Sequence, residues 1–115
     1  MISYTDAQDR VTNLGPGDSN AAGFDVFRGT TFAFDLSAIG PAGETEEDNL
    51  SYLLSNDALT SPDADLFTID GAGILAFKSA PEEASNGNPL DIAINIVGLN
   101  DATTTFFASI FVQDS

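Results

Sequence analysis

Leu66-Phe67-Thr68-Ile69-Asp70-Gly71-Ala72-Gly73-Ile74-Leu75-Ala76-Phe77 decides the fold. Two apolar runs, each too short for a helix, flank a turn made of Asp and Gly. Asp70 supplies an Asx-type turn and the glycines supply positive φ, so the segment reads as a β-hairpin. Upstream, Asn56 to Asp65 is polar and Pro62 stops any regular element, while Leu50 to Leu54 reads as a short strand. Phe24 and Val26, then Phe32, Phe34 and Leu36, fall at period two with Arg28-Gly29 as a break between them. Downstream, Pro81-Glu82-Glu83-Ala84 fits one helical turn with Pro at its first position. Asn86 to Pro89 is a further turn, Ile92, Ile94 and Ile96 alternate, and Thr103 to Val112 is a long β-branched and aromatic run.

These runs give about seven strands and no long amphipathic helix. The expected fold is all-β, an antiparallel β-sandwich of immunoglobulin-like size, with a closed barrel as its competitor. Residues 1–23 are polar and turn-rich from Gly15 to Asn20, and form a lead-in with room for one short strand around Ile2 to Thr5; residues 24–115 form the sandwich. Phe34, Tyr52, Phe67, Ile69, Leu75, Ile94 and Ile96 are the expected core, with Phe32 and Phe77 also well placed for it. Phe106, Phe107 and Phe111 cannot all point inward, because neighbouring strand residues face opposite sides.

Composition narrows the chemistry. The 115 residues make one domain and are enough to bury a core without disulfides. Eighteen Asp and Glu against three Lys and Arg give a net charge of −15. That charge argues against nucleic acid and anionic membrane surfaces, whose binding rests on Lys and Arg. No stretch approaches a membrane span, so membrane insertion is not expected. With neither His nor Cys, Ser-His-Asp and Cys-His catalysis and the usual zinc sites are ruled out. Carboxylates, hydroxyls and amides remain, and these are ligands for hard cations such as calcium. Zero Cys leaves the compartment open. Met1 is not followed by a basic and then apolar leader, and the ending at Asp114-Ser115, just past a strand pattern, reads as a piece of something longer.

The hairpin and its surroundings resemble the cadherin-like, dystroglycan-type repeats of bacterial surface and secreted proteins. Residues 66–77 are similar to the family's F-x-I-D-x-x-x-G-x-L-x-F hairpin with one residue fewer in the turn. Asp48-Asn49-Leu50-Ser51-Tyr52-Leu53-Leu54-Ser55 is similar to D-N-x-x-Y-x-L-S. Ala80 to Glu83, Leu90 to Ile96, and Thr104 to Asp114 are similar to the family's acidic turn, penultimate strand and last strand with its terminal Asp. The likeness runs in order from about Phe24 to Asp114.

The resemblance implies a non-enzymatic extracellular or cell-surface module with a spacing or adhesion role. Its partners would be neighbouring repeats of the same polypeptide, with a cell-surface protein or carbohydrate beyond them. It also implies calcium at the junctions, held by Glu46, Glu47, Asp48, Asn49, Glu83, Asp101 and Asp114. Several carboxylates from different loops would have to converge, since calcium takes about six to eight oxygens. The family pattern is incomplete: a Glu after the first core strand falls on Arg28, an Asp-x-Asp falls on Gly40 and Ala42, and an Asp near Gly98 is displaced to Asp101. The implied sites are therefore partial and weak. Two other readings stand beside this one, a carbohydrate-binding accessory module of a secreted polysaccharide-degrading protein and a stand-alone acidic interaction protein.

The remaining motifs read as local structure. Glu44 to Asn49 is better explained by a solvated loop than by metal ligation. Glu82-Glu83 are adjacent, and adjacent residues seldom converge on one substrate atom as a catalytic pair must. Asp63-Ala64-Asp65 lacks the spacing of an EF-hand loop. Asn49-Leu50-Ser51 is a formal glycosylation triplet of the kind that arises by chance.

Overall fold

The computed structural model describes residues 2–14, 20–38, 50–57, 59, 61–84, 88–98 and 103–114. Among them are nine strands: β1 Ile2–Asp6, β2 Val11–Leu14, β3 Ala21–Phe27, β4 Phe32–Ala38, β5 Ser51–Leu54, β6 Phe67–Ile69, β7 Ile74–Phe77, β8 Leu90–Val97 and β9 Thr103–Gln113. A 3₁₀ turn, Ala64–Leu66, leads into β6. The strands form two sheets, ordered β2-β1-β4-β7-β6 and β3-β9-β8-β5. With β1, β4, β5, β6, β7, β8 and β9 labelled A to G, the sheets contain A-B-E-D and G-F-C, the immunoglobulin-like arrangement. β2 and β3 are the additional strands, one on an edge of each sheet.

Several details of the expectation need correction. Residues 2–14 are built into the sandwich rather than leading into it, since β1 pairs along its whole length with β4 and Ile2 is buried. A boundary at residue 24 falls inside β3. The sheets are not wholly antiparallel either: β3 runs parallel to β9, from Ala21 opposite Phe107 to Phe27 opposite Gln113. Finally, Pro81 to Ala84 form no helical turn; the Pro81 carbonyl instead accepts the Gly29 N–H at 2.8 Å.

The decisive hairpin forms, although of the two turn glycines Gly73 and not Gly71 takes positive φ. Phe67 pairs with Phe77 and Ile69 with Leu75. The Asp70 carboxylate accepts the N–H groups of Ala72 at 2.9 Å and Ile74 at 3.0 Å, and Gly73 has φ 83°.

The core lies between the sheets. Phe24 and Phe34 stack at 4.2 Å, Tyr4 meets Phe24 edge-on, and Phe106 meets both rings edge-on. Phe67 and Phe77 pack at 4.4 Å as a second aromatic pair. Of the expected core, Phe34, Tyr52, Phe67, Leu75, Ile94 and Ile96 are buried, while Ile69, at the end of an edge strand, is half-buried. Phe32 is 39 % exposed, against expectation. The register of β4 against β7 shifts between Phe32 and Phe34, and this bulge turns Ala33 and Phe34 inward together and leaves Phe32 outside. Phe106 is buried, Phe111 half-buried and Phe107 42 % exposed, as strand alternation demands.

Strand directions fix the two poles of the molecule. β1 begins beside the end of β4, with Ile2 opposite Ala38. β9 ends beside the end of β3, and β3 turns into the start of β4 over residues 28–31. The first and last described residues therefore lie at opposite ends of the strands. The molecule measures 41 × 28 × 25 Å, and the eleven-residue β9 alone spans about 36 Å at ~3.3 Å per residue, so the strands run along the long axis.

Candidate functional site

The C-terminal pole is the place where implied ligands can be located. It is made by the turns after β1, β3 and β7 and by the end of β9. The turn from Phe27 to Thr30 closes with the Thr30 N–H on the Phe27 carbonyl at 3.2 Å, helped by the Thr30 hydroxyl at 2.6 Å. Gly29 has φ 85° and Arg28 has negative φ, which makes this a type II turn with Gly where that turn needs it. The turn aims Arg28 across the pole. Its backbone N–H donates to the Gln113 carbonyl at 2.9 Å. Its Nε stands 3.4 Å from Asp114 Oδ1, and its Nη1 donates to the Glu82 carbonyl at 3.5 Å.

Of the implied calcium ligands, Asp114 is thus paired with this arginine and Glu83 follows Glu82 in the chain; both are exposed. Glu46, Glu47, Asp48, Asn49 and Asp101 lie outside the described residues. No group of three or more acidic side chains placed to hold a metal ion occurs among the described residues. At the pole, the charge on Asp114 is met by a guanidinium. That pair is half-exposed on the arginine side and more open on the aspartate side, so it contributes no more than about 0–1 kcal/mol.

All three basic residues of the chain, Arg10, Arg28 and Lys78, sit in turns at this pole. Beside them a cleft of about 380 Å³ is lined by Asp65, Leu66, Phe77, Lys78, Pro81 and Leu90. Phe27, Phe32 and Leu66 are exposed nearby. The pole thus offers apolar surface, paired charge and backbone groups, a surface suited to packing.

Two residues matter here that the sequence reading passed over. Asp6, at the end of β1, is 7 % exposed although ionisable. Its carboxylate accepts the backbone N–H of Gln8 at 3.0 Å, the backbone N–H of Arg10 at 2.9 Å and Arg10 Nε at 2.9 Å. Burial pushes its pKa up, but the Arg10 and Gln8 backbone donors and the Arg10 guanidinium outweigh it and hold the group below its ordinary value. Asp9, with φ 61°, closes the same turn with its N–H on the Asp6 carbonyl. The readable signal was Asp6-Ala7-Gln8-Asp9-Arg10 between two β-branched residues, a tight hairpin loop with an Asx acceptor.

Ser61 is the second. β5 covers only the second half of β8, from Ile94 to Val97. The loop after β5 covers the rest: Ser55 N–H donates to the Ala93 carbonyl, buried Ser61 Oγ accepts the Ala93 N–H at 3.0 Å, and Asp63 Oδ2 accepts the Asp91 N–H at 2.9 Å. These side chains stand in for a missing strand, and their spacing carries no period that sequence could show. No family model matches the chain, and no curated protein matches it.

Proposed function

We propose that this chain is a non-enzymatic, cadherin-like repeat module of a cell-surface or secreted protein, with a spacing or adhesion role. The observation that supports this reading best is the placement of the first and last strands. Ile2 starts at one pole and Gln113 ends at the other, so copies joined end to end extend along the strand axis instead of folding back. The apolar cleft and the exposed Phe27, Phe32 and Leu66 give a following module a surface to pack against. The net charge of −15 leaves nucleic acid and anionic lipid outside the range of partners. No described helix is long and apolar enough to cross a membrane.

Calcium at a junction is part of the proposal in reduced form. Arg28 already places a positive charge beside Asp114, so this pole needs a cation less than an all-acidic one would. An isolated module holds at most half of a junction site, and the remaining oxygens come from its neighbour.

The test is a pair of copies joined directly, examined by small-angle scattering with and without millimolar calcium. An extended pair close to twice the 41 Å of one module supports the spacer reading. A pair that stays side by side in both conditions overturns it.

A further inference from the structure

We infer that the outer face of the β3-β9-β8-β5 sheet binds a neutral, hydroxyl-rich polysaccharide. The inference does not rest on the spacer reading, which concerns the poles. Alternation along β9 sends Phe106, Ala108, Ile110 and Val112 into the core and Phe107 and Phe111 outward. The two outward rings stand four residues apart on one strand, about 13 Å at ~3.3 Å per residue. Phe107 is 42 % exposed, and opposite it Ala93 is buried although it stands outside the core cluster. Phe111 lies over Gly23, where a Cβ would come within 3.4 Å of the ring. The ring thus lies against the sheet and is half-buried, with its other side turned outward.

Polar pairs alternate with the rings. Ser109 Oγ donates to Asp91 Oδ1 at 2.7 Å between the two phenylalanines. Gln113 Nε2 donates to Asp25 Oδ1 at 3.0 Å beyond Phe111, and Thr105 Oγ1 donates to Asn95 Oδ1 at 3.0 Å before Phe107. Each carboxylate is steadied through one oxygen and keeps its second to accept from a ligand. Each pair is held across neighbouring strands, so the acceptors sit on the scaffold and not on mobile loops.

The chemistry of the occupant follows from what the face lacks. None of its four strands contains Lys or Arg, so an anionic ligand finds no counter-charge there and meets a chain at −15. A basic partner would gain more at the turns, where most of the described carboxylates are, than on a face carrying only Asp25 and Asp91. Flat rings interleaved with acceptors suit a ligand with apolar C–H faces and donor hydroxyls at its rim, which describes a neutral sugar ring. The separation of the rings calls for an extended chain of several sugars.

The full chain, labelled with ¹⁵N, is titrated separately with cellohexaose, mannohexaose, xylohexaose, hexagalacturonate and hexalysine. The expected result is that at least one neutral hexasaccharide moves the amides of residues 105–111 and of Gly23 and Asp25, while the charged probes do not. Phe107→Ala weakens that binding about tenfold, the scale of one lost ring contact. Phe107→Tyr keeps the ring and the binding, and serves as the readout together with Phe107→Leu should the alanine variant lose its fold. The inference is overturned if none of the three neutral probes moves this face. It is equally overturned if hexagalacturonate or hexalysine moves it as much, if Phe107→Ala and Phe107→Leu bind like the parent, or if the same amides move with protein concentration alone.

Discussion

Leu36 and Gly73 meet backbone to backbone. The Leu36 N–H donates to the Gly73 carbonyl at 2.8 Å, and a Cβ on Gly73 would lie 2.1 Å from the Leu36 carbonyl oxygen. The turn of the β6–β7 hairpin is thereby pressed against β4, and only glycine fits the approach.

Three glycines separate space from conformation. Gly71→Ala meets nothing within 4 Å at an ordinary φ and should change stability by no more than about 0.5 kcal/mol. Gly29→Ala also meets open space but at φ 85°, and should cost about 1–2 kcal/mol. Gly73→Ala suffers both strain and collision and should cost at least about 3 kcal/mol. Urea midpoints of the three variants give the order directly.

The bulge in β4 makes a prediction about two phenylalanines of similar sequence context. Phe67→Ala empties a buried site and should cost about 3–5 kcal/mol. Phe32→Ala removes a ring that is 39 % exposed and should cost less than about 1.5 kcal/mol. Equal losses in denaturant unfolding would mean that Phe32 faces the core and the bulge is absent.

Asp6 ties stability to pH. Its folded pKa lies below the 3.8 of the free group. Its contribution is therefore complete above that value and disappears as pH falls through the lower folded one. Asp6→Asn should be less stable than the parent at neutral pH, and the gap should close on acidification below pH 3.8. Melting temperatures of both proteins across the acid range check this, and a gap independent of pH would remove the carboxylate from the account.

Ser61→Ala should cost about 1–3 kcal/mol although it deletes one oxygen, because the Ala93 N–H is left buried without its acceptor. Hydrogen exchange at Ala93 should accelerate in the variant by more than the global loss of stability explains. Unchanged exchange there would show that the loop does not cap β8.

Arg28→Glu tests the electrostatics of the C-terminal pole. The variant should melt lower than the parent without calcium, because an acidic group replaces the partner of Asp114. Calcium should then raise its melting temperature more than the parent's, and more than sodium chloride at equal ionic strength does. Identical responses of both proteins to both salts would leave the acidic residues as solvated surface only.

What the sequence disclosed follows from the kind of interaction involved. The β6–β7 hairpin, β8 and β9 were legible because burial of one face imposes period two on side chains. β2 was not, because Val11 to Leu14 is a short edge strand held by backbone pairing with β1, to which side-chain pattern is indifferent. Parallel pairing of β3 with β9 joins residues far apart in the chain and leaves no local mark. Phe32 misled because one extra residue in β4 reverses the alternation without altering the apolar spacing. At the candidate site, Arg28 was recognisable as a departure from an acidic pattern, but its reach to Asp114 and Glu82 depends on the turn at Gly29 and on where β9 ends. The buried state of Asp6 and Ser61 arises from hydrogen bonds to main-chain groups, which any polar loop sequence could make or fail to make.

The opposed poles also determine how the molecule carries load. A pull between its two ends draws β1 one way along β4 and β9 the other way along β3 and β8. Both movements are sliding ones, in which the hydrogen bonds of a ladder are strained together instead of opening singly from a free end. The parallel β3–β9 pair, which includes the eleven-residue β9, spans seven register positions and bears this shear. Resistance to extension is thus concentrated in the terminal strands, and the β6–β7 hairpin, out of the line of force, is spared until they have slipped.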